Sequence, residues 1–343
     1  MKRVLSLLVA LTLLATAATE VFAGAGNRTG TEGASELLIP VGTRDIAMGG
    51  STIATTSGIE ALFWNPAGVA RQKSSTTLYF SHMSYIADIG VDYGAVSASI
   101  EGLGVLTLSL KSLSVGDIVE TTTLAPDGTG KTFSPQLLTV GASYSRELSD
   151  RVAVGLTANL VSERLGDVSA TGVAFNVGVV YDNLANLNGL SLGVVVKNIG
   201  PQMQFTGPGL NHTAQPTDFN RGPTIFKVDA ASFELPSTLE FGIGYRKNFD
   251  EENSILLASS FQNNNFSDDE YRVGLEYAYQ NILFLRGGYG FSPKQSETEY
   301  IYGASFGAGL HSSLGSLDLT FDYAYRAADI FDNNHIFSVK LGF

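Results

Sequence analysis

Three groupings in this chain have residue types and spacings that could do chemistry. Ala125, Gly130, Lys131 and Thr132 fit a relaxed phosphate-binding loop, A-x-x-x-x-G-K-T. That loop cradles a nucleotide's phosphates on glycine amides ahead of a helix. Here Phe133, Ser134 and Pro135 lead instead into an alternating run, so no helix terminus is expected to hold the anion. A flexible outer loop is the sounder reading. Gly189, Leu190, Ser191, Leu192 and Gly193 match the G-x-S-x-G elbow of hydrolases. The elbow works only at a strand-to-helix turn that exposes its serine, and this copy lies within an extended segment. Ser191 is therefore expected at the lumen or an interface. The third grouping is ionic. Lys197, Glu240, Arg246, Arg272, Glu276, Arg286, Asp318, Asp322, Arg326 and Lys340 fall on one parity of successive alternating segments. A selective pore favours one sign of charge at its constriction. These signs are mixed, which favours paired charges bracing a wall over a substrate path, though both remain open. His82, His212, His311 and His335 are scattered without ligand spacing, so no metal site is expected. No cofactor and no catalysis are expected either.

The elements that would position these charges are strands. From residue 76 onward the chain alternates apolar and polar residues in segments of about 10 residues or slightly more. They are placed near 76–85, 91–101, 103–113, 135–147, 151–163, 170–182 and 189–199. Seven more follow near 236–248, 254–264, 270–280, 282–292, 298–310, 315–326 and 334–343. The expected fold is all-β, a transmembrane antiparallel barrel of about 14 strands, an even number as bacterial single-chain barrels have. Leu317, Leu319, Phe321, Tyr323 and Tyr325 share one face, and Asp318, Thr320, Asp322 and Arg326 share the other. Charged residues make up only 16% of the chain, below the roughly 25% of soluble domains. With 38 Gly, 14 Tyr and 20 Phe, the composition suits close strands and aromatic girdles. Loop lengths sort by side: turns near 101–102, 149–150, 184–188, 250–253, 281 and 311–314 are short, whereas 114–134 and 200–235 are long. Short turns are periplasmic in such barrels, so both termini are expected there. A net charge of −12 argues against nucleic acid as a partner.

The ends of the chain agree with this fold. Lys2 and Arg3 precede an apolar run of about 15 residues, too short to span a bilayer, and Ala23 ends a small-residue cleavage pattern. Residues 1–23 are expected to be a signal peptide. At the other end Phe337, Val339, Leu341 and Phe343 share a face, and an aromatic last residue resembles the assembly signal of outer-membrane barrels. Phe343 is thus expected to meet the barrel-assembly machinery, and the apolar faces to meet outer-membrane lipid. Residues 24–75 lack the alternation. Because a barrel of about 14 strands is too wide for its own side chains to fill, this segment is expected to plug the lumen, leaving 76–343 as the barrel. Pro66 fixes its own φ and drives Asn65 out of the helical region, where Asn65 can bond nearby backbone. That turn either seats the plug or moves with it.

The same segment carries a family resemblance. Gly49 and Gly50, about 15 residues before Trp64, Asn65, Pro66, Ala67 and Gly68, resemble the hatch of the FadL superfamily of outer-membrane barrels. Leu37, Ile39, Arg44, Met48 and Gly49 extend the likeness to the PorV/PorQ branch. So do Gly193 through Pro201, Leu235 through Leu239, Glu276–Tyr277 and Arg286 through Tyr289. The resemblance implies a bacterial outer-membrane, non-catalytic component of type IX-like secretion, with secreted proteins or the translocon as partners. Contact is expected at the 200–235 loop, where Phe205, Phe219, Phe226 and Phe233 serve either as recognition anchors or as a lid. The alternative is a FadL-like transporter of fatty acids or other hydrophobic small molecules, which would need an apolar pocket between plug and wall.

Overall fold

The computed structural model describes residues 31–215, 222–293 and 301–343. The expected signal peptide lies outside the described residues. The alternating segments pair in sequence order into one closed antiparallel barrel of fourteen strands. These are β1 (Thr76–Ser84), β2 (Gly90–Ile100), β3 (Gly104–Ser114), β4 (Gln136–Ser149), β5 (Val152–Leu165), β6 (Val168–Asp182) and β7 (Leu190–Ile199). The second half is β8 (Thr238–Asn248), β9 (Asn253–Asn264), β10 (Glu270–Tyr279), β11 (Leu283–Phe291), β12 (Tyr302–Leu314), β13 (Leu317–Ala328) and β14 (Asn334–Gly342). Closure comes where β14 meets β1, from Thr77 opposite Gly342 to Ser84 opposite His335. The last residue is tied in as well: the Phe343 amide donates to the Thr76 carbonyl at 2.9 Å.

The two faces are reversed relative to a soluble sandwich. Phe80, Leu108, Phe241, Phe306, Phe321 and Phe337 stand exposed on the outside, while Ser97, Glu240, Glu276 and Asp322 are buried inside. Only lipid makes that arrangement favourable, and a closed ladder leaves no backbone donor unpaired in it. Among the described residues no helix is long and apolar enough to cross a membrane. Most boundaries fall within two residues of expectation, but the twelfth strand, expected at 298–310, spans Tyr302–Leu314. The twelfth strand runs on to Leu314, so the turn expected at 311–314 lies within it, and Gly315 with φ +66° makes the turn instead. The polar run His311–Ser313 is a strand end at the rim, where Ser313 Oγ donates to Asp318 at 2.5 Å.

The end carrying Thr76 and Phe343, termed inner here, has tight connections such as Gln280 and Asn281, both with positive φ as hairpin twist requires. The outer end carries both long loops, and each folds as a hairpin. Ile118–Val119 pairs Thr132–Phe133 in the first. In the second, Met203–Gln204 pairs Ser232–Phe233, and Asn211–Ala214 pairs Thr224–Lys227 further out. Lys131 and Thr132 therefore sit in an outer hairpin with no helix after them. Ser191 is on β7, its Oγ donating to Asp182 at 2.6 Å.

The lumen is occupied by the chain's own residues 34–71, termed the inner segment. It contains helical pieces of one or two turns, Ser35–Leu38, α1 (Thr43–Ala47), Gly58–Glu60, α2 (Ala61–Trp64) and Pro66–Arg71. Such turns are too short to be stable alone, so packing against the wall must hold them. Ile46, Ile59, Trp64 and Val69 form a core with Tyr79, Tyr93, Val105 and Ile336 of the wall.

Candidate functional site

The site is the seat of the inner segment, and its geometry starts with missing side chains. Gly49 and Gly50 have φ of +67° and +76°, the left-handed region that glycine adopts without strain. They also lie against solid neighbours. A Cβ at Gly50 would come 2.7 Å from the Trp64 ring, and one at Gly288 on β11 would come 2.1 Å from the Met48 carbonyl carbon. Trp64 is buried, and its Nε1 donates to the Val41 carbonyl at 2.8 Å. Asn65 is extended, with φ −154° and ψ 104°. Its Oδ1 accepts from the Ala67 amide at 3.1 Å, capping the turn that Pro66 begins. Its Nδ2 donates to Ile53 at 3.0 Å within the segment and to Val179 on β6 at 3.2 Å. Ser145 on β4 donates to the Pro66 carbonyl at 2.7 Å. Asn65 fits only because β6 offers Gly178 there, where a Cβ would lie 2.0 Å from Oδ1.

Toward the inner end the seat is ionic. Arg44 grips Glu276 in two-pronged fashion at 2.8 and 3.1 Å, a geometry suited to guanidinium and carboxylate. Arg286 bonds the same carboxylate at 2.8 Å and Asp322 at 2.5 Å, and Arg246 approaches Glu276 at 3.5 Å. Asp45 lies 3.3 Å from Arg44 and accepts from the Thr56 hydroxyl at 3.1 Å. Burial pushes the Asp45 carboxyl up to about 6, Glu60 adds to this, and Arg44 opposes it. Glu60 pairs with Lys340. Burial works against its charge, but Lys340 and Arg44 outweigh burial and hold its carboxyl below the usual range. Arg71 reaches Asp182 on the wall.

On the outer side Lys197 pairs with Glu240 at 2.5 Å, and Arg272 with Glu270 at 2.8 Å and Glu240 at 3.7 Å. An irregularity at Asn198, φ +59°, shifts the β6–β7 register just before β7 ends at Ile199, and Lys197 Nζ lies 4.7 Å over the Phe63 ring. The structure thus brings together seven of the nine wall charges from Lys197 to Arg326, in two clusters. Asp318 stays apart at the inner rim, and the Arg326 guanidinium stacks 3.4 Å over Tyr302. Sequence reasoning missed the inner segment's half of this network, Arg44, Asp45 and Glu60, although charges beside Ile46, Ala47 and Met48 were a usable signal.

Two cavities flank the segment, and no residue lines both. The outer one, about 310 Å³, has Leu38, Phe63 and Trp64 on one side and Lys197, Gln262 and Arg272 on the other. The inner vestibule, about 660 Å³, is lined by Arg44, Glu60, Arg246, Glu276, Asp322 and Lys340. Above the outer cavity the long loop divides its aromatics. Phe205 and Phe233 lie tilted against each other, ring centres 5.5 Å apart, and pack with Met203 and Leu235 onto Ala34 and Leu37. Ile225, Phe226 and Val228 on the distal hairpin are exposed. Phe219 lies outside the described residues.

A wall apolar outside and charged inside, with the amino-terminal segment seated against its inner face, defines an outer-membrane-type β-barrel. The profile of a family described as "Type IX secretion system protein PorV" matches residues 22–242. The chain belongs to that family. The match takes in the inner segment, the long loop and the wall as far as β8. Solved structures similar in fold include the CymD monoaromatic hydrocarbon channel, with TM-score 0.57, 15% identity, and coverage of 89% of this chain and 98% of that one. The toluene transporter TodX of Pseudomonas putida has TM-score 0.55 at 13% identity, covering 88% and 96%. A FadL homologue from Pseudomonas aeruginosa has TM-score 0.52 at 12% identity, covering 89% and 98%. A search of the curated proteins finds no match.

Proposed function

We propose that the chain is a non-catalytic outer-membrane component of type IX-like protein export. Its outer loop binds a secreted protein or the export channel, and its inner segment acts as a plug that keeps the lumen shut. The family match over residues 22–242, which contains both parts, carries this reading. The loop supports it: its base is packed, while Ile225, Phe226 and Val228 are left on a free hairpin. Exposed apolar residues grouped beyond a rim suit a protein partner. Residues 1–23 direct export, Phe343 engages the barrel-assembly machinery, and Gly49, Gly50 and the Trp64–Ala67 stretch fasten the plug.

The test is affinity purification of the full chain from native outer membranes, unaltered and with Ile225→Asp and Phe226→Asp together. Loss of co-purifying secreted proteins or of a large export barrel from the variant supports the reading. Identical partners in both would sink it.

A second reading, transport of a hydrophobic small molecule, is favoured by the apolar side of the outer cavity, Leu38, Phe63 and Trp64. The solved neighbours described as hydrocarbon channels point the same way. Against it stand the polar wall opposite and the separation of the two cavities. Toluene or oleate uptake in cells lacking the chain decides between them.

A further inference from the structure

Beneath the base of the outer loop, the first turn of the inner segment presses an acid against the wall. Glu36 is 1% exposed, its neighbour Leu37 packs against Val161 of β5, and the acid nearest its carboxyl is Glu163 of that strand. Glu163 is buried too, at 7%. Lys111 on β3 is the cation at hand, yet its Nζ donates to two backbone carbonyls, Glu36 at 2.6 Å and Ile39 at 3.2 Å. Lys197 on β7 faces Lys111 but is paired with Glu240. Among the described residues neither Glu36 carboxylate oxygen has a donor. The Oε2 of Glu163 lacks a donor as well. A buried carboxyl without a donor can bond a neighbouring carboxylate only through a proton between them. Val161, Ala170, Met203 and Leu235 close over the turn and keep water out.

We propose that the Glu36–Glu163 pair is a proton-held latch on the inner segment. While the pair shares a proton, the Ser35–Leu38 turn stays docked. When the proton leaves to water, two carboxylates face each other in an apolar site and the turn is released. Leu37 and Phe63 line both the outer cavity and a void of about 40 Å³ behind it, so release merges the two toward β3–β5. The latch does not depend on what the outer loop binds.

The direction with pH follows from linkage. Burial and then the Glu163 charge push the Glu36 carboxyl from 4.5 up to about 8, with Lys111 opposing. The docked state holds the proton more tightly than the released state. Docking therefore weakens as pH rises above about 4.5, and the loss is complete near about 8.

The absence of cysteine lets Ser35→Cys carry a single nitroxide in the full-length protein in micelles. The label should be immobile near about pH 5, gain a mobile fraction up to about pH 8.5, and change no further. Glu163→Gln, which supplies a permanent amide donor, should hold it immobile throughout, as should Glu36→Gln. A label that never loosens in the otherwise unaltered protein overturns the latch. So does a transition that survives in both variants, which would assign it to Lys111. A third outcome also overturns it: millimolar calcium abolishing the transition and a chelator restoring it would mean that a cation, rather than a proton, joins the pair. Heat-modifiable migration on gels checks that each barrel folds, and if Glu36→Gln does not, the wall variant Glu163→Gln decides alone.

Discussion

Around Arg44 and Glu60 the inner segment meets the wall through ion pairs. Around Ala34 and Leu37 it meets the wall through apolar contacts, two carbonyls held by Lys111, and the base of the outer loop. The first anchorage is costly to open, because each partner leaves a buried opposite charge behind. The second leaves Lys111 without its two carbonyls but parts no pair of opposite charges, and it continues into the loop: the Gly33 amide donates to Glu234, and a Cβ on Gly33 would come 2.2 Å from the Phe233 ring. Any movement of the segment therefore starts at its outer end.

The largest test of this contrast is Glu276→Ala. It leaves Arg44 and Arg286 buried without their shared carboxylate, at a cost of about 3–5 kcal/mol in urea unfolding. Adding Arg44→Met to that variant should restore part of the loss, since one orphaned charge is removed. Gly178→Ala comes next. Its methyl would overlap Asn65 Oδ1, for about 1–3 kcal/mol and a raised conductance in planar bilayers as the segment shifts. Gly94→Ala is the control: nothing lies within 4 Å of a Cβ there, and no loss is expected.

How much of this was legible follows from what leaves a pattern. Fourteen strands were readable because lipid outside and charge inside impose a period of two on every one of them. The seat has no such period. Arg44 and Glu276 are 232 positions apart, and Glu60 and Lys340 are 280 apart, so no spacing links them. Glycine misled by its abundance. Gly155, Gly178, Gly193, Gly274 and Gly288 read as close strand packing, yet each is where inner-segment atoms lie against the wall. The outer loop shows the same limit: only the fold could tell that Phe233 turns in and Phe226 turns out.

The ionic anchorage also has a pH signature, of smaller size. The Asp45 carboxyl, raised from 3.8 to about 6, favours the folded state at low pH. Its contribution is full below about 3.8 and is lost as pH rises to about 6, by at most about 3 kcal/mol. Glu60, held below its ordinary value, has the opposite sign: its contribution is present above about 4.5 and is lost on acidification. Asp45→Asn should remove the decline of stability between about pH 4 and pH 6 in denaturant titrations. A decline that persists unchanged would assign it to another group.

The smallest effect on stability is expected where the effect on binding is largest. Ile225 is 70% exposed and Phe226 45%, on a hairpin where Asn211–Ala214 pairs with Thr224–Lys227. Ile225→Asp and Phe226→Asp should therefore move the unfolding midpoint by no more than about 0.5 kcal/mol. Phe233→Ala, at the base of the same loop, removes the ring that covers Gly33 and should loosen the Ser35–Leu38 turn. Comparing the three sharpens the contrast between the anchorages. If the hairpin variants lose partner capture with a rigid turn, and Phe233→Ala keeps capture with a mobile one, recognition and release reside in separate parts of one loop. If Phe233→Ala instead leaves a nitroxide at position 35 as rigid as before, the outer anchorage does not run through the loop, and its apparent continuity with the inner segment has no mechanical consequence.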